Sequence, residues 1–313
     1  MRRTRPLTLP FGLHGMIERL AADLLRPAGM PAFDFTQPAR EPALAAADSV
    51  SWQVFRNPVS LFVGGVAAVI LELAEPRVRS GVWEHSSFRS DPLDRLQRTG
   101  LAAMVTVYGA RSRAERMIAG VRRAHDRVSG VTADGAPYRA NDPELLRWVQ
   151  ATAQFGFLEA YAAFVRRLAP SERDLFYAEG APAAALYGAT GAPGSEAELQ
   201  ALFTSVAPRL EPSPVINEFL TIMRTAPLLP AAGPVQRLLV RAAVAIVPPD
   251  LRHQLRLSRS GLRPGEAALV RRLARLADRI RLDSSPAAQA SVRLGLPPAH
   301  LHARRAARTA SAA

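Results

Sequence analysis

The sequence predicts an all-α protein. Three observations carry that reading. Aromatic residues make up only 6% of the chain while alanine is abundant, which favours helices over sheets. Helix start signals recur along the whole length. Period-2 alternation is confined to residues 131–138, which read as a hairpin or turn. With 48% apolar residues in 313, there is enough to bury a substantial core. The organisation expected is an N-terminal arm over residues 1–47, a single helical domain over 48–295 and a tail over 296–313.

The elements follow in order. Residues 1–47 mix short apolar pieces with proline and Ala-Pro clusters. Residues 58–75 form a nearly unbroken apolar helix closed by Pro76, and Gly64-Gly65 inside it calls for close helix packing or the approach of a flat ligand. Residues 83–89 have no helical or strand period and read as a loop. Asp91-Pro92 is an N-cap followed by proline at the first helical position, opening a helix that runs to Gly109. Ser112-x-x-Glu115 reads as a capping box for a helix to about Val128. Asp142-Pro143-Glu144 repeats the Asp-Pro start, and an amphipathic stretch continues to Leu168. Ser171-x-x-Asp174 and Ser195-x-x-Glu198 mark two further starts. Helices over 214–225, 234–247 and 264–281 complete the set. No internal repeat occurs, and the tail, Leu-Pro-Pro followed by Ala/Arg, reads as frayed or disordered.

Composition excludes much chemistry. The chain has no lysine and no cysteine, so all 40 basic residues are arginine. Schiff-base chemistry, a phosphate-loop lysine, disulfides, thiolate nucleophiles, iron–sulfur clusters and thiolate-ligated haem are therefore excluded. The formal charge of +13 is concentrated at one end: residues 252–313 carry 13 Arg against Glu266, Asp278 and Asp283. No aromatic residue follows Tyr187 except Phe203 and Phe219, so base stacking and specific nucleic-acid binding are not expected. Arg271, Arg272, Arg275 and Arg279 share a helix with Leu269, Leu273 and Leu276. That pattern reads as a docked surface helix, with weak contact to anionic membranes as the other possibility. The longest apolar run, residues 61–71, falls short of the roughly 20 residues a spanning helix needs. The N-terminal apolar stretch is proline-broken and short for a signal segment. A soluble, cytoplasmic protein is expected.

Candidate site residues come from placement. His125 falls in the apolar stripe of Ala114, Met117, Ile118, Val121 and Val128, at spacings of three and four. A histidine there is either a satisfied core residue or a metal or haem ligand. Arg95 and Thr99 lie four apart on a face bordering the stripe of Leu93, Leu96, Ala103, Met104 and Val107. They are either a solvated edge or polar groups aimed into a pocket. The loop around His85 and Arg89 gathers functional residue types. No Glu-x-x-His, His-Glu-x-x-His, Gly-x-Ser-x-Gly or Gly-x-Gly-x-x-Gly occurs. His300-x-His302 has no third ligand nearby and reads as incidental.

Several segments taken together resemble a known family. They are Ser49-Val50-Ser51-Trp52, residues 58–76 with their Gly-Gly, and His85-Ser86-x-Phe88-Arg89-x-Asp91-Pro92-x-x-Arg95-Leu96-x-Arg98-Thr99. Val107-Tyr108-Gly109, Val121-Arg122-x-x-His125, Tyr138-x-Ala140-x-Asp142-Pro143-Glu144-Leu145 and Trp148-Val149 follow in order. Their order and spacing resemble the MpaB / latex-clearing-protein family of b-type haem oxygenases over about residues 45–260. The resemblance implies a helical, globin-like haem pocket, haem b as cofactor, and dioxygen and a hydrophobic small molecule as reactants. It makes His125 the axial iron ligand and Arg95 and Thr99 the pair near the haem. His85, Arg89, Arg98 and Arg122 join them around the cofactor.

The chain departs from that pattern in places. Rubber-cleaving members can carry a distal-ligand lysine where this chain has Arg98. Gln150 stands where many relatives have histidine, and Ser129 where they often have arginine. The glutamate proposed as catalytic base in rubber oxygenases has no aligned counterpart, and Glu84 is the candidate for it. Two readings follow: an intracellular haem oxygenase acting on a hydrophobic molecule, or a helical scaffold that kept the fold without the catalysis.

Overall fold

Fifteen α-helices, one 3-10 turn and one two-stranded hairpin make up the computed structural model, which describes residues 11–23, 25–228 and 232–302. The first six helices are α1 (Phe11–Asp23), α2 (Val50–Val54), α3 (Pro58–Ala74), α4 (Pro76–Glu84), α5 (Pro92–Tyr108) and α6 (Arg111–His125). An antiparallel hairpin, β1 (Ser129–Val131) with β2 (Pro137–Arg139), then pairs Gly130 with Tyr138. It leads into α7 (Pro143–Phe164), α8 (Pro170–Glu179), α9 (Ala181–Tyr187) and α10 (Glu196–Val206). The chain closes through α11 (Pro214–Thr225), α12 (Gly233–Ile246), α13 (Pro249–Gln254), α14 (Glu266–Ala277) and α15 (Pro286–Arg293). The all-α expectation is met.

The starts are set by side chains that take up orphan amides. Asn57 Oδ1 accepts from the Val59 and Ser60 amides at 3.1 Å and opens α3. Asp91 accepts from the Asp94 amide at 3.0 Å, and Asp142 from the Glu144 amide at 2.8 Å. Each is followed by proline at the helix start, as the Asp-Pro signals predict. Ser195 caps α10 through the Glu198 amide at 3.2 Å.

Three local expectations need correction. The loop expected over 83–89 begins only at His85, because Trp83 and Glu84 form the last turn of α4. The Ser171 start is displaced: α8 begins at Pro170, and Glu172 reaches back to the Ala169 amide at 3.0 Å. The Ser112 capping box does not form. Instead Glu41, from the N-terminal segment, accepts from the Ser112 amide at 2.5 Å and from its hydroxyl at 3.0 Å. The helix start is thus capped from a distant part of the chain.

Helices α3 and α7 cross at glycine. A Cβ on Gly64 would lie 2.6 Å from the carbonyl oxygen of Gly156, so the two backbones touch. Gly64 of the Gly64-Gly65 pair therefore serves helix packing. Trp148 of α7 adds a hydrogen bond from its indole N–H to Leu71 O at 3.2 Å and packs on Phe203. Around this crossing lies the main core, to which α11, α12 and α14 contribute Phe219, Val240 and Val270. At the α2–α3 junction Arg56 pairs with buried Asp278, beyond the end of α14, at 2.6 Å.

A second core centres on Trp52, whose indole donates to Val107 O at 3.1 Å while Tyr108 donates to Trp52 O at 2.7 Å. The arm joins it. Phe35 and Ala43 are buried, and Arg293 of α15, itself buried, donates to the carbonyls of Phe35 and Glu41 at 2.8 Å each. The arm also contains helix α1; residues 1–10 lie outside the described residues. In the stretch expected to be frayed, residues 296–302 are described and Leu301 is buried in this core, whereas 303–313 lie outside the described residues. No single described helix is long and apolar enough to cross a membrane; α3 and α4 pass the test only as a pair bent by 112°.

Candidate functional site

Four helices and the chain after the hairpin bring polar groups to one place. His125 is the last residue of α6, at the end of the stripe in which Ala114 and Ile118 are buried. Its imidazole is partly buried, and burial together with the nearby Arg95 charge holds it below the usual histidine range, against the opposing effects of Asn141 and Asp126. It is therefore neutral at ordinary pH, the form that ligates metals. Its Nδ1 is buried, with the Asn141 side chain beside it.

Arg95 lies one turn into α5. Its guanidinium is largely buried, stands 5.6 Å from the Phe88 ring centre, and has an unpaired, buried Nε. Burial lowers its pKa and the neighbouring Glu72 carboxylate raises it; an arginine remains charged throughout. Glu72 comes from the inner side of α3. Burial pushes its carboxyl up to about 7, opposed by Arg95 and by the Thr152 hydroxyl beside it. Thr152, fully buried on α7, donates to Val149 O at 2.9 Å. A titratable carboxyl and a neutral imidazole thus both lie within the field of the Arg95 charge.

The other sequence-derived candidates sit around this group with partners of their own. The Thr99 hydroxyl is exposed and donates to Arg95 O at 2.9 Å, tying the turn that carries Arg95. Arg98 is exposed and pairs with Asp94 at 2.5 Å. Arg122 is exposed and reaches Leu186 O at 3.5 Å. His85 bonds Tyr138 Oη at 3.0 Å, and Arg89 grips Glu218 of α11 with two hydrogen bonds at 2.9 and 3.0 Å. None of these contacts involves His125. Glu84, the candidate base, is exposed and accepts from Tyr138 Oη at 3.2 Å. The carboxylate beside Arg95 is Glu72 instead. His302 lies partly buried near Arg56 and Arg281, and burial pushes its imidazole down to about 4.

Sequence reasoning missed Glu72, Thr152 and Asn141. Glu72 carried a signal: a single acid between Leu71 and Leu73 in an otherwise apolar helix needs a buried partner. Asn141 stood in plain sight before the Asp-Pro helix start. Among the described residues no group of three or more His, Asp or Glu side chains could hold a metal by itself. A haem needs only an axial side chain, because the porphyrin supplies the equatorial nitrogens. The lone, partly buried imidazole of His125 fits that requirement.

The chain belongs to the family described as ER-bound oxygenase mpaB/B'/Rubber oxygenase, catalytic domain, which matches residues 52–279. The matched span starts at Trp52 and includes Glu72, Arg95, His125 and Asn141. No curated protein and no solved structure matches the chain.

Proposed function

We propose that this protein is a haem b oxygenase, with His125 as the axial ligand, that oxidises a hydrophobic small molecule with dioxygen. The carrying observation is the partly buried, neutral imidazole of His125 within the field of the Arg95 guanidinium, whose own Nε is unpaired. Membership of an oxygenase family supports the reaction class.

When bound, haem supplies the iron that activates dioxygen. The chain's own residues do the rest. His125 would hold the cofactor through its neutral imidazole. Arg95 keeps a fixed positive charge where negative charge develops, and Glu72 keeps that charge from being wholly unbalanced. Glu72 is poised near neutrality, so its carboxyl can hold or release a proton beside Arg95. Thr99 anchors the Arg95 turn through its backbone carbonyl. Leu96 and Val149 supply apolar surface suited to a lipophilic substrate and to excluding water. No lysine is available as a distal ligand, and Arg98, occupied by Asp94, cannot replace one. We place the protein in the cytoplasm; cell fractionation tests that placement.

Expression with haem supply followed by haem and iron assay tests the reading. One haem per chain and oxygen uptake with lipophilic substrates are expected. Folded protein that takes up no haem contradicts it, and haem without oxygen consumption favours the non-catalytic scaffold.

A weaker contact with anionic membranes is proposed for the outer face of α14. Leu269 and Leu276 are each 49% exposed there, beside exposed Arg271, Arg272 and Arg275. Salt-sensitive sedimentation with anionic but not neutral vesicles is expected; equal binding to both contradicts it.

A further inference from the structure

Beyond each other, two buried polar atoms at the end of α6 have no partner: Nδ1 of His125 and Oδ1 of Asn141, whose side chain lies close enough to favour the charged imidazole. Asn141 itself is held firmly. Its Nδ2 donates to Arg122 O at 2.9 Å and to the Asp126 carboxylate at 2.6 Å. Those acceptors lie three residues before His125 and one residue after it, so the amide is clamped across the turn that carries the imidazole. Both amide hydrogens are spent in that clamp, and the remaining capacity of the side chain is purely that of an acceptor at Oδ1.

An imidazole that binds a metal through Nε2 keeps its hydrogen on Nδ1 and requires an acceptor there to fix tautomer and ring orientation. We propose that Asn141 is the positioning residue for His125: its Oδ1 takes the Nδ1 hydrogen and leaves Nε2 free. The functional part of this inference rests on His125 being the haem ligand; the tautomer part does not. A neutral amide withdraws less positive character from the ring than a carboxylate would. The Asn141 side chain therefore makes His125 a moderate electron donor, whereas Asn141→Asp makes it a stronger one.

Nitrogen-15 NMR of the imidazole, recorded on haem-free protein, tests the first part. Wild-type His125 is expected as the Nδ1–H tautomer, with a shift toward Nε2–H in Asn141→Ala. An Nε2–H tautomer in the wild type overturns the proposal even if the variant does not fold, as does an unchanged tautomer in folded Asn141→Ala. In haem-loaded protein, Asn141→Ala is expected to weaken the ferrous iron–histidine stretch and lower haem affinity about tenfold. Asn141→Asp is expected to strengthen that stretch and lower the reduction potential. If both variants keep the wild-type stretch and potential while His125→Ala loses the axial signature, Asn141 is a structural clamp alone and the proposal is overturned. A wild-type spectrum indifferent to His125→Ala instead overturns the assignment of the ligand, and the NMR result stands separately.

Discussion

Glu72 of α3 and Arg95 of α5 are partly buried neighbours whose attraction does not fully offset the cost of desolvating the carboxylate. Burial leaves the acid favoured up to about pH 7. The sign follows directly. The folded protein keeps a proton that the unfolded chain loses above the ordinary glutamate range. Stability from this group is complete below about pH 4.5, where the unfolded carboxyl is also protonated, and is lost as pH rises through about 7. Glu72→Gln is therefore expected to be more stable than wild type by about 2 kcal/mol at pH 8.5, and equal to it near pH 4. Urea unfolding at the two pH values checks this; a gap independent of pH would refute it.

The backbone contact between Gly64 and Gly156 predicts a sharp contrast between two glycines at the crossing. A methyl group at Gly156 meets the Gly64 carbonyl, with no flexible side chain to give way. Gly156→Ala is expected to cost about 3 kcal/mol. At Gly65 the added carbon would meet only Phe157 Cε1, at 3.8 Å. Gly65→Ala is expected to be neutral or to stabilise by about 0.5 kcal/mol through helix propensity. Thermal melts of the two variants give the comparison.

Arg56 and Asp278 join the start of α3 to the end of α14 through a pair in which the aspartate side chain is fully buried. Asn57 strengthens the junction by donating to Ala274 O at 2.8 Å. Removing one charge strands the other, so Arg56→Met is expected to cost about 3–5 kcal/mol. Arg56→Met combined with Asp278→Leu is expected to recover part of that loss. A double variant as unstable as the sum of the singles would show that the pair is not coupled.

Glu41 caps α6 from outside the helix. Glu41→Ala is expected to cost about 1 kcal/mol and to loosen the segment that Arg293 holds. Hydrogen exchange should quicken at the first turn of α6 and in residues 35–44. Exchange unchanged at both places would mean that the arm is held without the cap.

The helical architecture was legible because its strongest signals are local. Asp91, Asp142 and Ser195 cap the helices they announce, and no distant group competes for the same amides. The α6 cap was not legible because its carboxylate comes from residue 41, and no local spacing encodes that contact. Helix α4 was hidden because its apolar residues are few and Trp83 sits among polar neighbours. At the site, periodicity placed His125 at the end of a stripe that is buried at Ala114 and Ile118. It could not show that Glu72 faces Arg95 from another helix, or that Asn141 lies against His125, because both depend on how α3, α5, α6 and the turn before α7 pack together.

The central claim is that His125 holds haem iron, and the absorption spectrum of haem-loaded protein with and without imidazole tests it most directly. Wild type is expected to show a Soret band of histidine-ligated haem. His125→Ala is expected to lose that band or shift it, and added imidazole is expected to restore it by filling the vacated axial position. A Soret band identical in wild type and His125→Ala, insensitive to imidazole, would contradict the account.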